Sequence, residues 1–506
     1  MKRRIAEKVL ALSLAAAMMA GMAGCGNNDG GSAPGSEGGS SAGTEQSGEE
    51  QSSDAGQESG SEEGSAEGEG GGEGGEEAPK EVSMPDVITD SDGNPIDLGG
   101  MEIIVRDWWT PDEETEPANS FEEAKEEYLD WAQSTYNFTI KQVAVSTWDS
   151  APEDFVNYAT TGGDENYVFV LRQGQELVAA MNSGLMYDLG SLDCLDFTED
   201  KWKDGVNKML SKGDAVYGMR GITPEGRGGM YFNKRLLEEA GIQPDSIYDL
   251  QENMEWTWDK FEEICSQVQA DTDNDGVIDR YAMVCITQDF YPMAVWSNGG
   301  EFIGMDENGK YVNRLESSET IEALNWSLDM IDRFNKVFDA DAAWDYGYTA
   351  FANGEGVFIP QETYKAGDWA DMADDFGFVC FPMGPKMQDY TNCYTDNVMV
   401  IPACYDAEKA WKIAFAYNLF TDPVPGWEDY NESWKSSYYE KFRDTESVDL
   451  TMARMVENGM VTYHTFIPGL DLGPDVYWNI NKDNTPAQQA EAIRNTWASY
   501  LEEANK

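Results

Sequence analysis

The chain has 506 residues, and 34 basic against 95 acidic side chains give it a formal net charge of −61. A field this negative repels nucleic-acid phosphates and anionic lipid, which points to a neutral or cationic partner. The single histidine, His464, and the lack of a Cys-x-x-Cys pair leave too little material for the usual zinc sites or a histidine-based catalytic triad.

Residues 1–25 have the pattern of an export signal. Basic residues at positions 2–4 precede an apolar run, 9–22, that is too short to span about 30 Å of hydrocarbon. The sequence Met-Ala-Gly-Cys at 22–25 resembles a bacterial lipobox, with methionine in place of the usual leucine. The resemblance implies that Cys25 is lipidated and anchors the protein to the outer face of the bacterial cytoplasmic membrane. The alternative is an ordinary secretory signal with an unrelated cysteine.

The next segment, 26–98, is predicted to be a disordered tether. Residues 26–79 consist almost entirely of small, acidic and amide side chains and contain no large apolar residue. Such a segment has no apolar area whose burial would offset its ordering entropy, and its glutamates repel one another. We therefore expect a flexible, extended spacer between the membrane and the folded part.

From about residue 101, short apolar runs alternate with amphipathic stretches, which is typical of an α/β protein. Strands are predicted at 102–106 and 167–171. Helices are predicted at 120–136 with a cap at Ser120, at 175–181, at 236–240, from a cap at Thr257 through Val268, at 321–334, at 408–419, and at 486–503 with a cap at Thr485. About 400 residues of this kind favour two α/β lobes over one.

Six cysteines follow the N-terminal segments. In an exported protein they could form up to three disulfides, whose connectivity the sequence does not give. Several lie in apolar runs, so we favour buried free thiols. They are Cys194, Cys265, Cys285, Cys380, Cys393 and Cys404.

Seven motifs between residues 183 and 385 occur in an order that resembles a known family. They are SGLMYDL at 183–189, VYGM at 216–219, MYFNKRLLEEAGI at 230–242, WTWDKF at 256–261, WSNGGEF at 296–302, AFANGE at 350–355 and FGFVCFPMGP at 376–385. The family is that of the extracellular solute-binding proteins of ABC importers, in its maltose-binding-like, sugar-binding group. The resemblance covers essentially all of 101–506. The stretch 356–362 departs from it, because relatives often carry glycine and tryptophan near the position of Gln361.

The resemblance implies a type II periplasmic-binding-protein-like fold, with two lobes joined by a hinge and a ligand cleft between them. The expected lobes are 99–219 with 380–435, and 220–379 with 436–506. It further implies a monomeric, non-enzymatic receptor that captures a sugar or oligosaccharide by closing its cleft and delivers the solute to an ABC-type permease. Closure of this kind is a population shift, because the solute contacts both lobes only in the closed state.

The residues expected to bind the solute follow from the chemistry of a sugar, which offers flat apolar faces and a ring of hydroxyl groups. Aromatic platforms with carboxylates, amides and arginines match it. Trp108 and Trp109 follow the first predicted strand, and Arg172 and Gln173 follow the second, at the ends where open α/β sheets bind ligands.

Other candidates come from positions that the family places near the cleft, or from a cluster of aromatic and acidic residues at 344–369. Since aromatic residues are also common core residues, we expect roughly half of the whole set to contact the solute. These further candidates are Arg227, Asp289, Phe290, Trp296, Trp344, Tyr346, Glu362, Trp369 and Trp478.

The stretch 271–279 has the spacing of an EF-hand calcium loop. Asp271, Asp273, Asp275 and Asp279 occupy positions 1, 3, 5 and 9, and Val277 at position 7 would supply a backbone carbonyl. The twelfth position is alanine, so the usual bidentate glutamate is missing. We expect a structural calcium site that fixes a loop; the alternative is a solvated acidic turn.

Two other functions remain open on the sequence alone. The same fold could bind a polyamine or another cationic solute, because carboxylates and aromatic rings also form cation–π cages. An exported glycoside hydrolase needs only two suitably spaced carboxylates, which so acidic a chain could supply, although no motif supports it.

Overall fold

The computed structural model describes residues 83–111, 117, 119–172, 175–202, 210–220, 226–339, 341–394, 397–427 and 434–506. All of them belong to one unit of the chain. The predicted signal peptide with Cys25, most of the predicted tether, and Gln173 lie outside the described residues. No helix within the described ranges is long and apolar enough to cross a membrane.

Fifteen strands occur in the described ranges. They are β1 Met101–Asp107, β2 Phe138–Ala144, β3 Asn166–Arg172, β4 Ser211–Lys212, β5 Ala215–Val216, β6 Gly226–Arg227, β7 Gly229–Asn233, β8 Tyr281–Met283, β9 Ile303–Met305, β10 Tyr311–Asn313, β11 Gly356–Gln361, β12 Phe376–Cys380, β13 Asn392–Tyr394, β14 Asn397–Val400 and β15 Gly459–Met460.

The α-helices of the described ranges connect these strands. They are α1 Ser120–Tyr136, α2 Ala151–Thr161, α3 Gln175–Asn182, α4 Lys234–Glu239, α5 Ser246–Glu252, α6 Trp258–Val268, α7 Thr287–Ser297, α8 Ser318–Phe334, α9 Tyr346–Ala352, α10 Lys365–Asp368, α11 Ala407–Phe420, α12 Ser436–Tyr439, α13 Ala453–Glu457 and α14 Pro486–Ala504. Short 3₁₀ or π turns lie at Leu189–Ser191, Asp200–Trp202, Ser447–Met452, His464–Phe466 and Gly473–Tyr477.

Two four-stranded sheets organise the molecule. The first has the order β14-β3-β1-β2, with β1, β2 and β3 parallel and β14 antiparallel to β3. The second has the order β12-β7-β11-β8, in which β7 runs antiparallel to both neighbours and β11 is parallel to β8. Each sheet is covered by helices, so the apolar runs that predicted strands are buried on both faces.

A small three-stranded sheet, β15-β13-β6, joins segments that run between the two larger sheets. Its register pairs Cys393 with Arg227 and Asn392 with Gly459. The chain therefore crosses between the lobes on paired strands.

The hydrophobic residues form separate cores around the two sheets. The first lobe's cores gather residues such as Val105, Val168 and Ile401, whereas the second lobe's core is centred on residues such as Tyr231 and Phe358. Cores of this size are built from side chains distant in sequence, which is why lobe boundaries are hard to read from the chain alone.

Two segments pack differently from the expected lobe boundaries. Phe381, Met383 and Tyr390 belong to the core of the second lobe, although 380–435 was assigned to the first. Phe466, from the second lobe's part of the chain, packs into a core of the first lobe. Both segments lie next to the crossing strands, where short sequence motifs do not reveal which core a side chain enters.

The helix caps agree with the sequence at two sites and differ at one. Thr257 accepts a hydrogen bond from the Lys260 amide, and Thr485 forms a full capping box with Gln488. The predicted cap at Ser120 is wrong. The preceding Asn119 caps α1 instead, because its side chain accepts from the amides of residues 121 and 122.

The six described cysteines are free thiols. Cys265, Cys285 and Cys380 are buried, as their apolar surroundings predicted, and Cys404 is exposed. The alternative of three disulfides does not hold in this structure.

Candidate functional site

The parallel strands of the first sheet end at one edge, which carries two exposed or partly exposed indoles after β1. Trp108 and Trp109 contact each other edge to face, with 5.0 Å between ring centroids, and Trp109 is 46% exposed. The buried Asp107 holds this turn, because its carboxylate accepts from the Thr110 hydroxyl at 2.5 Å and from the Gln142 amide at 2.8 Å. The turn thus presents a rigid aromatic surface.

Arg172, the last residue of β3, lies at the same edge against an indole that the sequence analysis missed. Its guanidinium carbon is 4.2 Å from the centroid of the Trp148 ring, and its Nε donates to the Trp148 carbonyl at 3.2 Å. Trp148 is 53% exposed. It stands four residues after β2, so the rule that selected Trp108 and Arg172 could have found it. We call Trp108, Trp109, Trp148 and Arg172 the first edge.

The corresponding edge of the second sheet carries an ion pair. Gln361 at the end of β11 is paired in register with Gly229 at the start of β7, which brings the residues flanking these strands together. Arg227 Nη1 lies 2.9 Å from Glu362 Oε2. The Arg227 side chain is mostly buried, so this pair is only partly screened by solvent.

Asp289 on α7 joins this group through the side-chain amide of Gln361. The sequence analysis noted Gln361 only as a position where the chain departs from the family. Gln361 Nε2 donates to the Asp289 carboxylate at 2.5 Å and lies 3.1 Å from the Tyr348 hydroxyl oxygen. Burial raises the pKa of Asp289 to about 7, and the nearby Glu362 carboxylate acts in the same direction. Near neutral pH this carboxyl can therefore either donate or accept a hydrogen bond. We call Arg227, Asp289, Gln361 and Glu362 the second edge.

Tyr477 adds a hydroxyl beside this group. Its side chain is buried, and its hydroxyl has no hydrogen-bond partner among the described residues. Burial raises the pKa of Tyr477 well above its usual value, and the charge of Asp289 adds to the effect. A buried donor without a partner is costly, so a ligand or water group would be bound favourably there.

Exposed aromatic residues surround the second edge. Trp344 is 76% exposed and contacts Tyr348 edge to face, and Tyr364 is 47% exposed. Lys365 Nζ lies 4.1 Å from the centroid of the Tyr348 ring. Trp478, which follows Tyr477, is 65% exposed. Since exposed indoles of this number are unusual in a folded protein, these residues are candidates for a binding surface.

Four predicted site residues lie elsewhere. Phe290, Trp296 and Trp369 are core residues of the second lobe, with exposures of 0%, 8% and 4%. Tyr346 packs on the Phe338 ring and its hydroxyl hydrogen-bonds to Glu355 at 3.0 Å. The sequence predicted these residues from their aromatic character, but burial is decided by helices that pack on them from distant parts of the chain.

The acidic loop 271–279 brings three of its predicted ligands together. Carboxylate oxygens of Asp271, Asp273 and Asp275 lie within 4.8 Å of one another. Amides of the loop donate to Asp271, including that of Gly276 at 2.8 Å, and Gly276 has φ +94°. The positive φ is the turn that glycine permits.

One member of the predicted calcium set, Asp279, is placed differently. Asp279 accepts from the Thr272 amide and hydroxyl, each at 2.7 Å, and these bonds lower the pKa of Asp279. The side chain of Val277 is exposed, and its amide donates to Asp275. Ala282, at the twelfth position, is fully buried and offers no ligand.

Comparisons with known proteins agree with this architecture. Residues 168–417 match the model of the family described as bacterial extracellular solute-binding protein. An arabinooligosaccharide-binding protein of Halalkalibacterium halodurans is 31% identical over 134 residues, which are 26% of this chain and 26% of that protein. The match thus spans about a quarter of the curated relative.

Solved structures of low sequence identity share the fold. UgpB from Mycobacterium tuberculosis, in complex with glycerophosphocholine, superimposes with a TM-score of 0.53 at 18% identity, over 75% of this chain and 95% of that one. A cyclic alpha-maltosyl-1,6-maltose binding protein from Arthrobacter globiformis gives 0.53 at 16% identity, over 80% and 97%. The likeness shows the two-lobed, periplasmic-binding-protein-like α/β fold that the sequence predicted.

Proposed function

Residues 168–417 match the family of bacterial extracellular solute-binding proteins, and on that premise we propose that the chain captures a sugar or oligosaccharide between its lobes and delivers it to an ABC-type permease. The observation that supports this most is the pair of edges, one on each sheet, where exposed aromatic rings stand beside polar groups. The family and the fold are those of binding proteins, and we assign no catalytic step.

The chemistry of the two edges suits a carbohydrate. Indole faces of Trp109 and Trp344 can stack on the apolar faces of sugar rings. The second edge offers both donors and acceptors to hydroxyl groups, since Gln361 is an amide and Asp289 is poised between its two protonation states. A solute that touches both edges would favour the closed arrangement of the lobes, and closure is the signal that a permease reads.

Two of the three relatives described above support the same class of solute. One is named for arabino-oligosaccharides and another for a cyclic maltosyl-maltose. Because the first covers a quarter of this chain and the second shows the fold alone, the identity of the solute rests on the residues at the edges.

The location that we propose is the outer face of the cytoplasmic membrane. Lipidation of Cys25 would add two acyl chains, each contributing about 0.8 kcal/mol per buried CH₂, which is enough for stable anchoring. The predicted tether is too long at its C-terminal end, because Thr89 pairs with Pro95 and Leu98 is buried in a core of the first lobe. The segment 26–82 would then act as a flexible tether that lets a monomeric receptor reach both solute and permease.

We also propose a structural calcium ion in the loop 271–279. The convergence of Asp271, Asp273 and Asp275, with the Val277 carbonyl at the seventh position, supports it. Asp279 would act by exchanging its hydrogen bonds to Thr272 for the ion or for an ion-bound water. When bound, calcium would offset two of the three negative charges of the clustered carboxylates and fix the loop between α6 and β8.

The test is a binding survey by titration calorimetry and tryptophan fluorescence. Arabino-, malto- and xylo-oligosaccharides and polyamines are titrated into the purified protein, and recovered ligands are weighed by mass spectrometry. Saturable binding of an intact glycan is the expected result. Binding of polyamines alone would show that the solute is cationic. Cleavage of a glycan would contradict the proposal that the protein is a receptor. No binding of any solute would remove the proposal.

A further inference from the structure

The charge of Arg172 is not neutralised by any described residue. The chain has 95 acidic against 34 basic residues, so a nearby carboxylate is the ordinary expectation for an arginine. Yet no carboxylate within the described ranges lies within 4 Å of the Arg172 guanidinium, and only its Nε forms a hydrogen bond. The two terminal amino groups of this guanidinium remain available.

The carboxylates around the first edge are engaged with other groups. Asp107 accepts from Thr110 and Gln142. Asp154 lies 3.6 Å from the Arg106 guanidinium and accepts from the Ser150 hydroxyl. Asp149, next to Trp148 in the chain, makes no described ion pair with Arg172. Asp107 and Asp154 are therefore engaged with groups other than Arg172.

Arg172 is also held in a fixed orientation. Its planar face rests on the Trp148 indole at 4.2 Å, and its Nε is tied to the Trp148 carbonyl. A guanidinium fixed in this way loses little side-chain entropy when its terminal groups bind, and the two parallel N–H donors match a carboxylate bidentately.

An aromatic platform lies beside this cation. Arg106 is the last residue of β1 paired with β3, opposite Phe169, and each segment then continues for three residues, to Trp109 beyond the end of β1 and to Arg172 at the end of β3. Adjacent strands are about 4.8 Å apart. A sugar ring on the indole of Trp109 would thus bring a substituent of that ring within reach of the guanidinium.

We propose that Arg172 binds a carboxylate of the solute, so that the captured carbohydrate is an acidic one containing a uronate residue. This inference rests on the proposed function and names the substrate class of the same site. One guanidinium matches the single charge and planar shape of a carboxylate, whereas a phosphate monoester carries more charge than one cation balances. The net charge of −61 does not oppose this strongly, since charges beyond about 8 Å are largely screened at physiological ionic strength.

The experiment compares each acidic oligosaccharide with its own methyl ester, which removes the charge and keeps the sugar. The probes are trigalacturonate, a glucuronate-substituted xylo-oligosaccharide and their methyl esters, with xylotriose and arabinotriose as neutral ligands. Binding is measured by calorimetry to the purified protein at two salt concentrations. We expect at least one acid to bind at least about tenfold more tightly than its ester, and this preference to shrink as salt is raised.

The variants assign the preference to Arg172. Arg172→Met keeps much of the packing on Trp148 and should lower the affinity for the acid about tenfold more than the affinity for its ester, so that the preference disappears. Arg172→Lys keeps the positive charge but loses the two parallel N–H donors of the guanidinium. It should therefore retain only part of the preference for the acid. Arg314→Met is the matched control, because it removes one exposed positive charge from the second lobe. It should leave the preference unchanged.

Three results would overturn the inference. Equal binding of every acid and ester, or binding of neutral glycans alone, would remove the uronate while the proposed function stands. An equal loss of acid and ester in Arg172→Met, with an unchanged melting temperature, would assign Arg172 to hydroxyl groups. If no carbohydrate binds, the proposed function fails and this inference fails with it.

Discussion

The two edges differ in how their charges are balanced. At the first edge Arg172 has an aromatic neighbour but no described carboxylate partner, and the indoles of Trp109 and Trp148 are about half exposed. At the second edge Arg227 is paired with Glu362, and Asp289 is held by Gln361. A charge left open can select a ligand by its charge, whereas a closed network provides donors and acceptors of fixed position. The first edge is therefore suited to selecting a ligand by its charge, and the second edge is suited to positioning the ligand.

The largest effect should come from the exposed indoles. Trp109→Ala and Trp344→Ala should each cost about 2 to 3 kcal/mol of binding, a loss of about thirty- to a hundredfold in affinity, because each removes a stacking face. Calorimetry with the best ligand of the survey measures this loss. Val337→Ala, at a side chain that is 89% exposed and outside both edges, is the control. If only one tryptophan matters, the solute contacts only one edge.

The next largest effect is a pH dependence of stability that arises from Asp289 at the second edge. The pKa of Asp289 is raised to about 7 from an unfolded value near 3.8, so the folded state holds this proton more tightly. Its favourable contribution to stability is complete below about pH 4 and is lost as pH rises through 7. Relative to the native protein, Asp289→Asn should therefore gain about 2 kcal/mol in free energy of unfolding between pH 5 and pH 8.

Urea unfolding at pH 5, 6, 7 and 8 measures that gain, with Asp154→Asn at the first edge as the control. A constant difference between native protein and Asp289→Asn would show that Asp289 is already ionised at pH 5.

A smaller effect compares the two arginines directly. Arg227→Met removes a mostly buried ion pair of 2.9 Å and should lower the free energy of unfolding by about 1 to 2 kcal/mol. Arg172→Met removes a charge with no described ion pair and should change it by less than about 0.5 kcal/mol. Thermal and urea unfolding measure both. Equal losses of unfolding free energy in the two variants would contradict the difference in charge balance between the two edges.

The smallest effect lies outside both edges, in the loop 271–279. Millimolar calcium should raise the melting temperature by about 2 to 5 °C, since an ion that binds only the folded state stabilises it. Asp273→Ala should abolish the rise, and Asp306→Ala, in another exposed acidic turn, should not. A rise that survives Asp273→Ala would place the ion elsewhere.

Part of the candidate site could be predicted from local sequence. Trp108, Trp109 and Arg172 were found because each follows a predicted strand, and strand ends depend on short-range patterns of apolar residues. Glu362 was found because it lies in a cluster of aromatic and acidic residues in the sequence. Trp148 follows the same rule at a greater distance from its strand. Tyr348 and Gln361 were missed, because a tyrosine within a helix and a glutamine at the end of a strand have no distinguishing local pattern.

The sequence by itself determined the α/β class, the strands that carry the edges, the capped helices and the spacing of the acidic loop, because hydrophobic periodicity and capping act over a few residues. The tertiary structure alone decided which aromatic residues are buried. Phe290 and Trp369 entered the core while Trp344 and Trp478 stayed exposed, since burial depends on elements that pack from distant parts of the chain. The same long-range packing paired Arg227 with Glu362, 135 positions apart, and left Arg172 on Trp148.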